Sequence, residues 1–308
     1  MTNKIRNDIN GWLVVDKPYQ MGSTDVVRQL KHLLHPMKIG HAGTLDPLAT
    51  GVLPIALGKA TRTVDFVMQG KKTYEFSLCF GAQTQTDDAE GDIIASSDKI
   101  PTVDEILAVL PQFTGDILQT PSAYSAIKID GQPAYKRARK GQSVDMPARS
   151  VHIFDLRYTG QKNENTFTFE VDCGKGTYIR SLGRDMALAL GSRGHLTRLR
   201  RTFCAPFCEK NALTLEKIKE ICYNAGIESI LVPLETVLGD IPDLAVGEEQ
   251  ARSLGLGQAI NRPEFLLEND PKKEILMKAT FNKKLIAFVR VNGQKVQPVK
   301  VFNLIDKG

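Results

Sequence analysis

The sequence predicts an α+β protein, a mixed and mainly antiparallel sheet with flanking helices, followed by a small C-terminal β module. Three observations predict it. Apolar residues alternate with polar ones at 73–80 and 166–173, the period of a strand with one buried face. Apolar residues recur at helical spacing at 23–35 and again from about 178. Past 233–243 (PLETVLGDIPD), which holds two prolines and a glycine, the pattern changes to closely spaced strands.

Taken in order, GWLVV at 11–15 starts a short strand. STDVVRQLKHLLH at 23–35 predicts an amphipathic helix, with Val26, Val27, Leu30, Leu33 and Leu34 on one stripe and Ser23 or Thr24 as its cap. A glycine-rich loop follows at 40–51 (GHAGTLDPLATG). At 73–80, Tyr74, Phe76, Leu78 and Phe80 share one strand face. Thr102 and Glu105 form a capping box that opens a helix at 103–110. Strands are expected at 151–158 and 166–173, then a helix striped by Ile179, Leu182, Met186 and Leu190. The C-terminal module starts with a short helix around 247–254. Strands near 274–281, 284–291 and 295–304 follow, and Asn292-Gly293 predicts a type I′ hairpin between the last two.

The 308 residues suit one large or two ordinary domains. With 42% apolar and 24% charged residues the chain can bury a real core. A net charge of +5 permits a polyanionic partner without requiring one. The five cysteines are scattered, with no C-x-x-C pair, which excludes a fully paired disulfide framework and argues against a cysteine zinc site. The N-terminus has no secretory h-region, and no apolar run approaches the ~20 residues of a membrane helix. A reducing cytoplasmic setting is expected.

Within the glycine-rich loop, Asp46 is the one carboxylate. Pro47 restricts its backbone, and Gly40, Gly43 and Gly51 allow sharp turns or close approach by a ligand. That composition suits either a capping aspartate in a tight turn or a carboxylate presented at a cleft. Arg180, in CGKGTYIRSLGRD at 173–185, follows two glycines on a helix's first turn and is a candidate partner. Tyr74 reads as the wet end of a core stripe, or as a ring for stacking on a base. Tyr178 begins a helix beside Gly176. Basic segments occur at 193–201 (RGHLTRLRR) and 136–140 (KRARK), and Lys31, His32, His35, Lys38 and His41 cluster upstream of the loop. Such segments suit a phosphate backbone, although each alone is more often a solvated face.

Other motifs fall away. The stretch from Gly51 to Lys59 has the wrong spacing for a P-loop, and Ala60 stands where Ser or Thr is required. Asp87, Asp88, Glu90 and Asp92 lack EF-hand spacing and read as a solvated turn.

GHAGTLDPLATGVLPIALGKATR at 40–62 resembles the signature motif of the tRNA pseudouridine-55 synthases. Asp16-Lys17-Pro18, KKTYEFSLCFG at 71–81, YSAIKIDGQPAYKRARKG at 124–141, CGKGTYIRSLGRD at 173–185 and LRRTF at 199–203 resemble further family elements, in family order over roughly 11–235. The resemblance implies a pseudouridine synthase catalytic domain at 1–237, with an RNA-clasping insertion at about 121–150, and a PUA-like RNA-binding module at 238–308. It implies Asp46 as the catalytic aspartate, Tyr74 stacked on the target base and Arg180 paired with Asp46. His41 matches the residue that packs into the opened RNA loop, Tyr178 and Leu199 match the uridine pocket, and Lys17 matches a lysine near the cleft. The implied substrate is a uridine flipped out of the T-arm of tRNA, handled by a monomer with no metal and no cofactor. Attack at C1′, removal of a 2′ proton and addition to the base all need one ionised carboxylate. Two rival readings are an RNA-binding tRNA-folding chaperone with a vestigial loop, and a metal-dependent hydrolase using Asp87, Asp88 and Asp92.

Overall fold

The computed structural model describes residues 6–125, 127–129, 131–142, 144–239, 241–263 and 274–302. A large sheet runs in the order Gly11–Lys17, Ala49–Leu57, Gly194–Cys204, Lys72–Phe80, Thr166–Cys173, Arg149–Asn163, Gly115–Gln119. Two short strands, Ile39–His41 and Phe207–Cys208, join its Ala49–Leu57 and Gly194–Cys204 members. All its pairings are antiparallel except one, in which 199–201 runs parallel to 49–51.

At one end the sheet is buried on both faces. Leu13 and Val15 enter one core while Trp12 and Val14 enter the other, and Leu53 and Ile55 are opposed by Val52 and Ala56 in the same way. That explains why GWLVV and VLPIAL are continuous apolar runs, since neither face meets water. Further along only one face is covered. Tyr74, Phe76, Leu78 and Phe80 lie in the larger core, with Phe76 stacked on Phe169 at 5.2 Å. The opposite face carries charge, including Arg198–Glu75 at 3.3 Å and an Arg157–Glu170 pair.

The helix Ser23–Leu34 is one residue shorter than expected because His35 takes a left-handed conformation. Its N-cap is Gly22, not Ser23 or Thr24, and the Asp25 carboxylate accepts the Gly22 N–H at 3.2 Å. The expected loop at 40–51 shrinks to 42–48, because strands take up both its ends. The Thr102–Glu105 capping box forms and opens Val103–Val109. The expected stripe of the helix Ile179–Ala189, from Ile179 to Leu190, is buried.

The C-terminal sheet has five strands, ordered Asp243–Ala245, Ile275–Phe281, Lys284–Asn292, Lys295–Val301, Ile260–Asn261. It curls around its own core of Met277, Val289, Val291 and Val296, with the helix Glu248–Gly255 adding Ala251 and Leu254, as fits a PUA-like module. The hairpin turns on Gly293-Gln294, since Asn292 pairs with Lys295. Only Gly293 takes a positive φ (57°), the pattern of a II′ rather than a I′ turn. Residues 303–304 of the last expected strand lie outside the described residues. The module docks on the main domain through Phe66–Phe288 (4.5 Å) and Lys300–Asp65 (2.7 Å).

Candidate active site

Asp46 lies in the short loop that leads into Ala49–Leu57, and the loop is pinned from four sides. Ser23 Oγ donates to the Leu45 carbonyl (2.9 Å) and accepts the Leu45 N–H (2.8 Å). Lys17 Nζ donates to the Pro47 carbonyl (3.2 Å). Arg201 Nη2 donates to the Gly43 carbonyl (3.0 Å). The Ala42 N–H donates to the Pro54 carbonyl (2.9 Å). The parallel register then sets Leu199 opposite Ala49, beside the carboxylate.

Arg180 comes from the second position of the helix Ile179–Ala189, whose N-cap Tyr178 offers no side-chain cap. The end is secured instead by Gln119, whose Oε1 accepts the Tyr178 N–H at 2.8 Å. Arg180 is 5% exposed, and both of its terminal nitrogens are hydrogen-bonded. Nη1 donates to the Thr86 carbonyl (2.8 Å) and lies 3.6 Å from Asp88, and Nη2 donates to the Tyr124 carbonyl (3.2 Å). Nε lies 2.9 Å from Asp46 Oδ2 but out of hydrogen-bond alignment, so this contact is an ion pair. A fork held at three other points has little freedom to leave the carboxylate. The Asp46 side chain is 38% exposed, so one side of it remains open.

That open side faces a cavity of about 280 Å³ lined by Asp46, Lys72, Tyr74, Tyr178, Leu199 and Arg201, the size of a small-ligand pocket. A groove of about 650 Å³ adjoins it past Asp88, Tyr124, Tyr135 and Arg139, so Asp46 and Arg180 border both. Burial pushes the Tyr74 phenol up to about 12, with Arg201 opposing. Burial also raises Tyr178. His41 sits half-buried on Ile39–His41, with its ring pKa lowered by burial and then by Arg201. It is not on the wall of the cavity. Lys17 is completely buried and its ammonium is spent on backbone, donating also to Pro18 (2.8 Å) and Met21 (2.6 Å). It braces the loop rather than facing a ligand.

Two readings of the sequence are overturned. Asp87 and Asp88 are not a solvated turn, being 4% and 7% exposed. Asp87 pairs with Arg184 (3.0 Å), while Asp88 accepts from Thr86 (2.5 Å) and faces Arg180. Among the described residues no cluster suited to a metal exists. Nor is the 193–201 run a free phosphate grip, because Arg200 is bidentate on Asp16 (3.0 and 3.2 Å) and Arg201 is 1% exposed. Sequence reasoning also missed Ser23 and Gln119 as supports of the site and Lys72 on the cavity wall.

Solved structures share this fold. A Cbf5-Nop10-Gar1 complex aligns with TM-score 0.71 and 25% identity, covering 95% of this chain and 84% of that one. An H/ACA RNP bound to a substrate RNA containing 2′-deoxyuridine aligns with TM-score 0.71 and 24% identity over the same shares. The fold class is that of the pseudouridine synthases. A profile described as the TruB family pseudouridylate synthase N-terminal domain matches residues 31–179, and one described as the tRNA pseudouridylate synthase B C-terminal domain matches 180–239. The tRNA pseudouridine synthase B of Bradyrhizobium diazoefficiens is 45% identical over 305 residues, 97% of this chain and 87% of that protein. The protein of the same name from Caulobacter vibrioides is 43% identical over 300 residues, 96% and 97%. The chain belongs to the TruB family of pseudouridylate synthases.

Proposed function

We propose that this protein isomerises uridine to pseudouridine at position 55, in the T-loop of tRNA, with Asp46 as its one catalytic carboxylate. The observation that supports it is the Asp46–Arg180 pair, 2.9 Å apart at the mouth of a cavity walled by Tyr74, Tyr178 and Leu199. The uridine leaves its stack, at a cost of a few kcal/mol, and enters that cavity. The N1–C1′ bond breaks, the base turns, and C5 bonds to C1′. C5 gives up its hydrogen and N1 gains one, so no atoms or electrons enter or leave overall. Asp46 serves this chemistry as an anion with a fixed guanidinium beside it. Tyr74, with its phenol pushed up to about 12, stays neutral at pH 7 and offers a ring face and an O–H donor. Stacking on such a face returns ~1–3 kcal/mol.

The T-arm lies along the adjoining groove, with the 121–150 insertion closing over it and His41 filling the opened RNA loop. The C-terminal module, from about residue 238, supplies further RNA contacts, and the protein works as a cytoplasmic monomer on one tRNA. The test is Asp46→Asn, which keeps the shape and loses the charge. It is expected to abolish pseudouridine formation on an unmodified tRNA transcript while binding stays within a few-fold. Substantial turnover by that variant refutes the role of Asp46. Native protein that binds the transcript and never modifies it favours the chaperone reading.

A further inference from the structure

Arg201 is a buried cation with no obvious reason to be buried. It is 1% exposed, in the wall of the cavity. Its charge lowers the pKa of Lys17, His41 and Lys72, so it sits among other basic groups. Burying such a charge is expensive unless hydrogen bonds replace the lost water. Those bonds go to two separate elements. Nε donates to the Val52 carbonyl of Ala49–Leu57 (2.8 Å), and Nη2 donates to the Gly43 carbonyl of the Asp46 loop (3.0 Å). The loop approaches closely enough that a Cβ on Gly43, where φ is +97°, would lie 3.2 Å from Nη1. The remaining edge of the fork faces Tyr74. The guanidinium carbon is 6.0 Å from the ring centroid. The strand register fixes this contact, with Arg201 opposite Tyr74 on one side and Gly51 on the other.

Resting on the synthase reading above, we propose that Arg201 is a positioning residue that locks the Tyr74 hydroxyl to the Asp46 loop and directs the phenol proton at the bound base. A guanidinium only donates. Where it occupies the phenol oxygen, that oxygen accepts, and its hydrogen is left to donate into the cavity. There a uracil carbonyl oxygen is the acceptor of matching chemistry. The same fork holds the loop that carries Asp46, so ring and carboxylate are set relative to each other by one side chain. Lysine cannot replace it, because a point charge cannot serve two carbonyls and a phenol in one plane.

The test is a double-mutant cycle in single-turnover pseudouridine formation on an unmodified T-arm transcript, using native protein, Arg201→Lys, Tyr74→Phe and the double variant. Arg201→Lys is expected to slow the reaction by roughly 10²-fold, with transcript affinity within a few-fold. In the Tyr74→Phe background the same substitution is expected to cost no more than about 3-fold, because no hydroxyl remains to be oriented. Equal losses in both backgrounds, or a native rate for Arg201→Lys, overturn the proposal. Thermal melts accompany the series. If Arg201→Lys is unfolded at the assay temperature, Gly43→Ala, which presses on the same guanidinium, takes its place in the cycle. A loss confined to the Tyr74 background then supports the proposal, and equal losses or a native rate overturn it. No product from native protein overturns the synthase reading, and this proposal with it.

Discussion

Raising the pH above about 8 is predicted to slow turnover while making the fold harder to unfold, and Lys17 causes both. Its ammonium is fully buried among the carbonyls of Pro18, Met21 and Pro47. Burial pushes its pKa from 10.5 down to about 8; Asp46 opposes this shift and Arg201 adds to it. Between those two values the unfolded chain keeps a proton that the folded chain has released, so stability rises with pH across that window. The full gap is worth ~3 kcal/mol, reached only near the upper value. Activity moves the other way. A neutral amine donates two hydrogens instead of three, so one carbonyl is released. The longest of the three contacts is to Pro47 (3.2 Å), the residue after Asp46. If the ammonium form is the competent one, the rate falls towards tenfold per unit above about pH 8. The assay is single-turnover pseudouridine formation from about pH 6.5 to about pH 9.5, with chemical unfolding measured in parallel. Lys17→Met is expected to be slow throughout, without the alkaline fall and with a smaller rise in stability, because burial lowers the Lys72 pKa as well. A native rate that stays level across the range refutes the reasoning, and so does an alkaline fall that persists in Lys17→Met.

Two further substitutions test the frame of the site. Arg180→Lys is expected to lower the single-turnover rate by roughly 10²-fold, since a compact ammonium lacks the planar fork whose separate nitrogens reach Asp46, the Thr86 carbonyl and the Tyr124 carbonyl. Near-native kinetics would reduce Arg180 to a structural role. Gly51→Ala is expected to destabilise the fold by ~3 kcal/mol or more, because φ there is +99° and a Cβ would lie 2.2 Å from the Arg201 carbonyl oxygen. Denaturant unfolding checks it, and an unchanged midpoint would show that the contact relaxes freely.

Much of the fold was legible because its signals are local. The Tyr74–Phe80 alternation, the Thr102–Glu105 box and the stripe from Ile179 to Leu190 each need only a few neighbouring residues, and each formed. The site was legible to a lesser degree. Composition alone left Asp46 as either a cap or a cleft carboxylate, and only the resemblance favoured the second. Local patterning also misread Ser23. A serine at the start of a helix is ordinarily its cap, yet here its hydroxyl is taken by Leu45, from a loop that only the tertiary fold brings near.

The charged residues show why the rest was hidden. From 193 to 201 the sequence presents a basic run, and such runs ordinarily face solvent or phosphate. In the fold the run is a strand between two others, and its register sorts the cations. Arg198 goes to Glu75 on the outer face, Arg200 to Asp16, and Arg201 inward to Val52 and Gly43. No local period encodes that sorting, because it depends on which strands lie beside it and on the parallel match of 199–201 with 49–51. Asp87 and Asp88, which read as solvated, are likewise buried by long-range contacts, a bridge from Asp88 to Leu196 and ion pairs with Arg184 and Arg180. With those arginines occupied, exposed positive charge lies at Lys175 on the cavity rim, at Lys136 and Lys140, and at Lys31 and Lys38 around the first helix. The buried basic side chains beside the Asp46 loop therefore hold that loop in place through its backbone carbonyls.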